Sequence, residues 1–497
     1  MTERAGPTVV LFNPAPRSGW QAQRRVEMPL SLLCPATPLD RAGWNVVIID
    51  EYAQRDWRRR LHFALQGECV CFGVTCMTGP QILHAISGCK IVRRLRPDVP
   101  IVWGGIHASL LPEQTLASGL ADVVVTGEGE ETFPQLVEAL TDGRSLEEVA
   151  GIVFSNGHGC HFTAPRGFVD LDAQPPLSYH LVNINDYRRR LFDVDHVSFN
   201  SSRGCTHKCK FCWDPVMHKR RWRAMQPGTV MEHLQRIIRD YGIRGFLFTD
   251  DNFFTDLDRA MGILEAVVRS GLDISISKLQ VRADLLCRMD ADFFDLLVRA
   301  KVRRISIGVE SGSQRLLDMV DKDLTVEEIV EANRRLLHYP IVPIYLFMMG
   351  LPGETPQDFA ESVRLAVRLT DENPHAVKTF NVYTPYPGTE LFDVVVQQGL
   401  KPPERLEDWA SFSFRRLSGS APWLTDQTRR LIKGLDFPLM FLGKGQFVTP
   451  YKKTNPIVVA LARMYYPMAK YRVKHLDARL PIESKLVRAL GLFARRD

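Results

Sequence analysis

Between residues 8 and 140, short apolar runs alternate with helical patterns, and this alternation limits the chain to few folds. Five runs are rich in valine and isoleucine and apolar throughout, as expected of strands buried on both faces: TVVLFNP, NVVIIDE, CVCFGVTCM, PIVWGGIH and ADVVVTGEGE. Helical patterns such as GPQILHAISGCKIVRRLRP lie between them. Strands that alternate with helices through right-handed crossovers predict a doubly wound parallel sheet of the Rossmann-like type.

A second alternation begins near residue 196 and predicts a second α/β unit. Its six strand candidates are HVSFNSS, GFLFTD, ISISKLQVRAD, RRISIGVES, VPIYLFMMG and AVKTFNVYTPY. The helical pattern TVMEHLQRIIRDYG lies between the first two, and a later helix opens with a capping box from Thr325 to Glu328. We predict a partial (β/α)6 barrel with its site at the carboxyl-terminal mouth. A second flat sheet is the alternative, because periodicity alone does not separate the two.

The length of 497 residues exceeds one ordinary core, so several domains are expected. We expect the wound sheet at residues 1–145, a hairpin and a proline-rich linker at 146–190, and the barrel at 191–400. Residues 401–497 form a mainly helical region in this interpretation, with many basic and aromatic residues.

Charge and composition point to a protein of the cytoplasm. The 63 basic and 57 acidic residues leave a net charge of +6, which is too mild to indicate nucleic acid. We find no run of eighteen apolar residues and no signal-peptide pattern in MTERAGPTVVLFNP, so we predict no transmembrane helix and no secretion. Ten cysteines in so long a chain fit a reducing compartment.

Three of these cysteines, Cys205, Cys209 and Cys212, stand in the loop after the first strand of the second unit. A redox dithiol needs only two thiols. A structural zinc site needs a fourth ligand, for which His218 is the candidate because His207 is too close in sequence. A [4Fe–4S] cluster bound by three thiolates leaves one iron open to a non-protein ligand. We favour the cluster on spacing and placement, with zinc as the alternative.

The spacing C-x3-C-x2-C, with the aromatic Phe211 before the last cysteine, resembles the signature of the radical S-adenosylmethionine (radical SAM) superfamily. The resemblance covers about residues 190 to 400. It implies that the open iron chelates S-adenosylmethionine (SAM), and that an electron from the cluster cleaves SAM to a 5′-deoxyadenosyl radical. The three cysteines are then cluster ligands and catalytic residues, and an external electron donor such as flavodoxin or ferredoxin is required.

Polar motifs at the other strand ends, FTDDNFF, QVRAD, GVESGS and GLPGET, fall in the order of that family. Carboxylates and amides suit the amine and ribose of SAM, and an arginine suits its carboxylate. The candidate SAM-binding residues are Phe211, Asp250, Asp251, Arg282, Glu310, Ser311 and Gly350. In the alternative, Asp250 and Asp251 cap the next helix and Arg282 pairs with a nearby acid. The sequence TDDN replaces the Gly-Gly-Glu with which the family usually binds the SAM amine.

Glycine-rich loops at the strand ends of the first unit, in GVTCMTGPQ, WGGIHASLLPEQTL and VVVTGEGEETF, resemble the cobalamin-binding domain of one branch of radical SAM enzymes. No nucleotide-binding G-x-G-x-x-G or Walker lysine is present. The resemblance implies cobalamin contacts from Thr78, Gly79, Gln81, Gly104, Gly105, His107, Gly127, Glu128, Gly129 and Glu130. The D-x-H-x-x-G motif is absent, so cobalt lacks a histidine from this protein, and His107 is interpreted as hydrogen-bonded structure. A wound domain without a cofactor is the alternative.

Together the resemblances imply a cobalamin-dependent radical SAM enzyme that methylates an unactivated carbon of a small-molecule or lipid-like substrate. One alternative is an oxidative cyclase or rearrangement enzyme with the same cofactors, and another is a cofactor-binding sensor without turnover. The tail segment PIVVALARMYYPMAKYRVK is suited either to a membrane surface or to a solvated helix, and we do not expect nucleic acid as a partner.

Overall fold

The structure is a computed structural model that describes residues 6–15, 27–157, 159–412, 421–442 and 456–479. The chain forms two compact units. The first comprises Met1–Arg188 and Pro402–Ser413, and the second comprises Arg189–Lys401 and Phe414–Asp497. The return of a late segment to the first unit is not visible in the sequence pattern. The domain limits that we expect at residues 145, 190 and 400 stay predictions.

The first unit is a seven-stranded sheet with helices. Its strands are β1 (Thr8–Asn13), β2 (Asn45–Asp50), β3 (Cys69–Thr75), β4 (Ile101–Gly104), β5 (Val123–Val125), β6 (Ile152–Ser155) and β7 (Cys160–Phe162). Its α-helices are α1 (Leu30–Arg41), α2 (Trp57–Ala64), α3 (Gln81–Leu95), α4 (Ile106–Leu110), α5 (Pro112–Ala117) and α6 (Gly129–Asp142). Short 3-10 turns span Leu146–Glu148, Tyr179–Leu181, Ile184–Tyr187 and Leu406–Ser411.

The strand order of this sheet is β2-β1-β3-β4-β5-β6-β7. The first five strands are parallel, whereas β6 and β7 form an antiparallel hairpin on the β5 edge. The doubly wound sheet is thus confirmed, with all five strands that the apolar runs predict. The order reverses between β1 and β3, and ligands of such sheets bind outside the carboxyl ends of the strands at that point.

Close packing explains why small residues stand inside this sheet. Phe12 on β1 lies 5.1 Å from the Trp57 ring and 5.8 Å from the Phe72 ring, centroid to centroid. A Cβ atom on Gly88 of α3 would lie 2.6 Å from the Phe12 ring, so a larger residue would force α3 away from the sheet.

In its described residues, the second unit carries nine strands. They are β8 (Arg189–Leu191), β9 (Val194–Phe199), β10 (Ser202–Arg203), β11 (Arg223–Ala224), β12 (Gly245–Phe248), β13 (Ser275–Val281), β14 (Arg304–Glu310), β15 (Val342–Met349) and β16 (Val377–Val382). The helices between the strands are α7 (Asp214–His218), α8 (Pro227–Tyr241), α9 (Leu257–Arg269), α10 (Ala283–Arg288), α11 (Ala291–Arg299), α12 (Gln314–Met319), α13 (Val326–Leu337) and α14 (Pro356–Glu372). Three more follow β16: α15 (Glu390–Gln397), α16 (Asp426–Leu439) and α17 (Pro456–Lys474).

The main sheet of this unit runs β16-β15-β14-β13-β12-β9-β8. Six strands are parallel, and only β8 pairs antiparallel at the edge. These six strands are paired in chain order, so right-handed crossovers place all the connecting helices on one face of the sheet. This arrangement confirms the partial (β/α)6 barrel over the flat sheet. The capping box of α13 is also present, since Thr325 and Glu328 bond reciprocally to each other's backbone N–H groups.

The last described helices confirm the helical character of the tail. Helix α16 packs on α14 through Leu431, Ile432 and Leu435, which belong to a buried cluster at the end of the barrel. None of the helices in the described ranges combines the length and the apolar character that a membrane crossing requires.

Candidate active site

The cysteine loop, residues 204–213, lies between β10 and α7, just beyond the carboxyl end of β9. Its three cysteines are free thiols, of which Cys209 is buried and Cys205 and Cys212 are half-buried. No three histidine, cysteine or acidic side chains among the described residues converge closely enough to bind a single metal ion. A [4Fe–4S] cluster instead takes one thiolate per iron, so its ligands need not converge on one point. The donor set therefore fits a cluster.

His218, the fourth ligand that a zinc site would need, is engaged elsewhere. Its Nδ1 atom lies 3.3 Å from Nη2 of Arg223, and its Nε2 atom lies 3.7 Å from Oδ1 of Asp214. Both ring nitrogens thus face other side chains, and the geometry does not favour zinc.

Backbone hydrogen bonds join the cysteine loop to two other loops of the barrel. The N–H of Lys210 donates to the carbonyl of Val320 at 3.0 Å, and the carbonyl of Lys210 accepts the N–H of Leu391 at 3.0 Å. The Lys210 ammonium also lies 3.3 Å from Asp321. The segment after α12 and the start of α15 therefore hold the loop in position before any cofactor binds.

The loop begins at Gly204, a position that only glycine can occupy. Its φ is +84°, in the left-handed region, and a Cβ atom there would collide with the carbonyl oxygen of Arg221. The N–H of Gly204 donates to the carboxylate of Asp251. The close approach of the two chain segments beside the β10–β11 ribbon requires this glycine.

Burial raises the pKa of all three thiols, that of Cys212 to about 12. At Cys209 the nearby charges of Lys322 and Arg282 act in the opposite direction and lower the thiol pKa. A thiolate is the form that binds iron, so cluster binding must release protons from these buried thiols. The positive charges of Lys322 and Arg282 partly balance the negative charge of the Cys209 thiolate.

Lys322 is the centre of a buried constellation under the loop. Its ammonium lies 2.9 Å from Oε1 of Glu310 and 5.8 Å from the ring centroid of Phe211. The side chains of Lys322 and Glu310 are only 8% and 12% exposed. Gly308 leaves space for the pair, because a Cβ atom there would lie 2.7 Å from Oε1 of Glu310. Two of the candidate SAM-binding residues, Phe211 and Glu310, thus lie beside Lys322 at the cysteine loop.

Arg282 joins the same constellation at the carboxyl end of β13. It is 6% exposed, and its Nε donates to Oδ1 of Asp284 at 3.0 Å, while Nη2 donates to the carbonyl of Asp323. The pairing with a nearby acid that we considered as an alternative therefore exists. The charge of Arg282 nevertheless acts on Cys205 and Cys209, so the residue lies beside the cluster ligands.

Asp250 and Asp251 do not cap the following helix, because Asp256 accepts the Arg259 N–H at the start of α9. Asp250 is 1% exposed, and its carboxylate accepts the hydroxyls of Ser201 and Ser202, with the Ser201 bond at 2.7 Å. It fixes the chain at the entry to the cysteine loop.

Asp251 has a different environment from that of Asp250. Asp251 is exposed to solvent at one side. Partial burial of its carboxyl group and the nearby charge of Asp250 nevertheless raise the pKa of Asp251 to about 6. The Gly204 N–H donates to the Asp251 carboxylate, whose charge in turn raises the pKa of the Cys212 thiol, so Asp251 lies beside the cysteine loop.

Asn252 is a residue that our list of candidates missed. It is 2% exposed, and neither Oδ1 nor Nδ2 has a hydrogen-bond partner among the described residues. A buried amide without partners is costly, and a bound ligand is one way to satisfy it. Asn252 follows Asp251 in the motif TDDN, and its place as a polar residue at a strand end could have identified it as a candidate.

Ser311 and Gly350 lie at the ends of β14 and β15 but face other contacts. The hydroxyl of Ser311 lies 3.0 Å from that of Ser362 on α14. Gly350 has φ +82°, its N–H donates to Glu354, and its carbonyl accepts the Trp423 indole at 2.9 Å. The side chain of Ser311 and the carbonyl of Gly350 thus serve the barrel structure.

Sequence reasoning also missed Lys322 and its neighbours. Asp321 and Asp323 have φ values of +50° and +48°, and Glu310 has +62°. Left-handed backbone at three non-glycine positions is uncommon and indicates a site that the surrounding structure fixes. A lysine in the segment VDKDL reads as solvated surface, so the sequence offered no signal for its burial.

In the first unit, Gln81 bridges the two loops at the reversal of strand order. Its Oε1 accepts the N–H of Met77 after β3 at 2.8 Å, and its Nε2 donates to the carbonyl of Pro14 after β1 at 2.8 Å. Gly79 lies between them with φ +125°. The loops that we predict to contact cobalamin are thus fixed at the expected ligand position of the sheet.

At the end of β4, Gly105 permits a tight approach to the β3 loop. Its φ is +86°, and a Cβ atom would lie 2.8 Å from both the Cys76 carbonyl oxygen and Oγ1 of Thr75. Gly104 has only Val125 O near its Cβ position, at 3.9 Å. The open space at Gly104 lets a flat macrocycle approach the backbone, whereas Gly105 serves the contact with the β3 loop, and the loops fit a corrin in this respect.

His107 is wholly buried and neutral. Its Nδ1 lies 3.0 Å from Oγ1 of Thr78, its ring packs edge-on to Trp409 at 5.7 Å, and burial lowers its pKa to about 4. Trp409, from the returning segment, donates to Oε1 of Gln114. The Nε2 atom of His107 has no hydrogen-bond partner among the described residues, yet the side chain is 0% exposed. A cofactor has no path to that nitrogen in this arrangement.

The remaining candidates lie at the start of α6. The N–H of Gly127 donates to Oγ of Ser109 at 3.1 Å, and Oε2 of Glu128 accepts the N–H of Val169 at 2.9 Å. Gly129 lies against Pro35, and Glu130 is 5% exposed. Gly127 leaves open space at the strand end, whereas the other three positions hold α6 against its neighbours.

Two family models match the chain in the order that the motifs indicate. The B12 binding domain matches residues 25–137, and the Radical SAM superfamily matches residues 199–366. Each match lies within one of the two units, and the second includes the cysteine loop.

Curated relatives span both matched regions. An uncharacterized methyltransferase of Pyrococcus horikoshii is 28% identical over 66% of this chain and 70% of its own length. The hopanoid C-3 methylase of Methylococcus capsulatus is 29% identical over 78% of this chain and 73% of its own. The anaerobic magnesium-protoporphyrin IX monomethyl ester cyclase of Cereibacter sphaeroides is 28% identical over 67% of this chain, but only 54% of the cyclase is covered.

Solved structures share the fold. The cobalamin-dependent SAM radical enzyme OxsB, with aqua-cobalamin and SAM bound, has a TM-score of 0.75 at 16% identity, covering 98% of this chain and 75% of its own. The radical SAM methyltransferase TsrM of Kitasatospora setae, with cobalamin and a [4Fe–4S] cluster bound, has a TM-score of 0.66 at 21% identity, covering 80% of this chain and 79% of its own. The chain thus combines, in this order, a B12 binding domain and a Radical SAM domain with its cysteine loop, which is the domain combination of a cobalamin-binding radical SAM enzyme.

Proposed function

We propose that this enzyme methylates an unactivated carbon of a small-molecule or lipid-like substrate. The observation that carries the proposal is the presence, in one chain, of three free thiols at a barrel mouth and of glycine-lined loops at the switch point of a B12-type sheet. The first set suits a radical-generating cluster, and the second suits a methyl carrier. Two of the relatives named above are methyltransferases, which supports the same conclusion.

Within the barrel, Cys205, Cys209 and Cys212 would hold a [4Fe–4S] cluster and leave one iron for SAM. When bound, the cluster and SAM supply a 5′-deoxyadenosyl radical, and cobalamin supplies the methyl group. Lys322 and Arg282 place two buried positive charges beside the thiolates, where they offset the negative charge that three thiolates bring.

For SAM itself, we propose that Asp251 and Asn252 bind the amino group in place of the usual Gly-Gly-Glu. Asn252 has a buried amide without a partner among the described residues, and Asp251 lies beside the cysteine loop. Arg282 is placed to bind the SAM carboxylate with the donors that Asp284 and Asp323 leave free. Phe211 and Glu310 would line the site, while Asp250, Ser311 and Gly350 position the loops around it.

In the first unit, we propose that cobalamin lies on the loops after β3, β4 and β5. Thr78, Gly79 and Gln81 would contact one side of the corrin, and Gly104 and Gly127 would let it approach the backbone, while Gly105 would hold the loop after β4 against the loop after β3. Glu128, Gly129 and Glu130 would shape the edge of this surface, and His107 would stay away from cobalt.

A radical SAM enzyme requires a substrate and an electron donor, and we propose a flavodoxin or a ferredoxin as that donor. No disulfide joins the ten cysteines, all of which lie in the described part of the chain, and this supports a reducing compartment, for which we propose the cytoplasm.

The identity to the anaerobic cyclase favours one second candidate, an oxidative cyclisation with the same cofactors. The two candidates differ in products, because methyl transfer converts a second SAM to S-adenosylhomocysteine and the cyclisation does not.

The test is made on anaerobically reconstituted protein with reduced cobalamin. We expect SAM to be converted to S-adenosylhomocysteine as cob(I)alamin becomes methylated. Optical spectroscopy detects the methylation of cobalamin, and chromatography detects S-adenosylhomocysteine. The variant Gly105→Val, whose Cβ atom would collide with the Cys76 backbone and distort the loops after β3 and β4, should lose S-adenosylhomocysteine formation. If 5′-deoxyadenosine forms without any S-adenosylhomocysteine, the methyltransferase proposal is wrong and the cyclase candidate replaces it.

A further inference from the structure

Helix α17 exposes an apolar stripe on the surface of the second unit. Met464, Met468 and Tyr471 are 77%, 56% and 60% exposed. Their spacing of four and three residues places all three on one face of the helix. The other large apolar side chains that are exposed in the described ranges are scattered over both units: Phe63, Met77, Leu83, Phe162, Val216 and Leu337.

The opposite face of α17 fixes the helix to the rest of the unit. Ala462, Ala469 and Val473 are at most 2% exposed. The Tyr465 ring packs on Phe441 of the preceding segment at 4.9 Å. The exposed stripe therefore lies on a helix whose opposite face already packs against the rest of the unit.

A second contact holds the same helix from the side. The ammonium of Lys470 lies 2.6 Å from Oδ1 of Asp371 at the end of α14. Arg472 is 6% exposed, and its guanidinium donates to the carbonyls of Asp477 and Gly434. Both cations thus contact groups of the unit itself, Lys470 at the surface and Arg472 in the interior.

Other basic residues surround the stripe. Arg463 and Lys474 are exposed on α17 itself, one at each end of the stripe. Residues 443–497 contain twelve lysines and arginines against three acids, whereas the whole chain has a net charge of +6. The rest of the sequence is therefore net negative, and in the described part of this segment Arg463 and Lys474 are the exposed cations that flank the stripe.

We propose that α17 docks the enzyme on an anionic phospholipid bilayer. Methionine and tyrosine side chains would enter the boundary between headgroups and acyl chains, and the surrounding lysines and arginines would lie among the phosphates. Each cation near an anionic leaflet adds to this attraction, and salt screens the effect. The combination of a short apolar stripe with cations at both ends fits this one partner.

Two other occupants fit less well. A stable interface between two protein copies takes roughly 20–30 residues on each side, whereas the stripe has three large side chains. Nucleic acid would contact the cations but would leave the methionines exposed to water.

The test is flotation of the full-length protein with two kinds of vesicles, one of phosphatidylcholine alone and one containing about a third phosphatidylglycerol. We expect at least tenfold tighter binding to the anionic vesicles at physiological salt. The triple variant M464S/M468S/Y471S should lose at least tenfold of that affinity. The matched control F63S removes an exposed apolar side chain, 72% exposed, from the first unit and should bind as the wild type does.

Three outcomes would overturn the proposal. One is the absence of wild-type binding to anionic vesicles. Another is wild-type affinity in the triple variant, whose helix content by circular dichroism shows that it is folded. The third is a wild-type dimer in sedimentation that the triple variant abolishes, with no vesicle binding, which would assign the stripe to a second copy. Because the measurement involves no turnover, it is independent of the proposed methyl transfer.

Discussion

The ammonium of Lys322 lies 2.9 Å from Oε1 of Glu310, and both side chains are buried beneath the cysteine loop. Burial alone would lower the pKa of Lys322, but the Glu310 carboxylate and the Cys209 thiol raise it, so the lysine is charged. The pair is thus a fixed pair of charges at the carboxyl end of β14, next to the ligands of the proposed cluster.

Replacing one member of this ion pair should lower the stability of the protein more than replacing both members. Lys322→Met leaves the Glu310 carboxylate buried without compensation and should destabilise the second unit by about 3–5 kcal/mol. The double variant E310Q/K322M should recover most of that loss, because no buried charge then remains. Urea denaturation of the three proteins measures the difference. Equal stability of the single and double variants would contradict this account of the pair.

Gly204 should be essential for the geometry of the cysteine loop. Gly204→Ala brings a Cβ atom into the Arg221 carbonyl oxygen at φ +84°, so the loop must move and cluster incorporation should fall at least severalfold. Gly242→Ala is the matched control, because Gly242 has φ +68° but open space around its Cβ position. Iron content after reconstitution is the measurement. Similar iron content in both variants would show that the close contact between Gly204 and the Arg221 carbonyl is not needed for cluster binding.

Glu354 should make the stability of the second unit depend on pH. Burial raises its pKa from 4.5 to about 8, so the folded chain keeps a proton that the unfolded chain releases between these values. Its stabilising effect is present in full below about pH 4.5 and is lost as the pH rises towards 8. Glu354→Gln should therefore raise the urea midpoint at pH 8.5 relative to the wild type and change it little at pH 5.

The control for Glu354 is Glu327→Gln, an exposed carboxyl in the first turn of α13. It should leave the pH profile of the urea midpoint as it is in the wild type. A Glu354→Gln protein whose profile also matches the wild type would rule out a buried, protonated Glu354.

The sequence predicted the parallel strands of the first unit well because they are almost continuously apolar, as in Val123–Val125. Strands of the second unit such as β13 and β16 contain polar residues, and their alternation with helical patterns predicted them. The sequence also predicted the cysteine loop, whose three thiols stand close together in the chain. It could not predict that Val320 and Leu391 hold that loop, or that Lys322 lies under it, because these contacts join residues about 110 to 180 positions apart. The return of Trp409 to the first unit has the same origin, since a single 3-10 turn carries no periodicity to read.

The role of Asp250 shows a second limit of sequence reasoning. Asp250 and Asp251 are neighbours of the same type at one strand end, and the sequence treats them alike. In the structure Asp250 is closed off by two serine hydroxyls, whereas Asp251 faces the loop. The direction of a side chain at a strand end depends on the packing of the next loop, which local sequence does not determine.

His107 should not bind cobalt, because its ring is 0% exposed between Thr78 and Trp409. With cob(II)inamide, which lacks the nucleotide base of cobalamin, the EPR spectrum of the bound cofactor should show no nitrogen splitting. His107→Phe should leave the spectrum unchanged, and His84→Ala serves as the control in the same unit. A triplet splitting that vanishes only in His107→Phe would make His107 an axial ligand.

The central claim is that Cys205, Cys209 and Cys212 bind a [4Fe–4S] cluster with one open iron. Iron and sulfide analysis of the anaerobically reconstituted wild type, with EPR before and after SAM addition, tests it most directly. We expect about four irons and four sulfides per chain, a SAM-dependent change in the spectrum, and no cluster in the variant with all three cysteines replaced by alanine. Cys160→Ala, an exposed cysteine of the first unit, should keep the cluster. Bound zinc without iron or sulfide, or a cluster that persists in the triple variant, would contradict the claim.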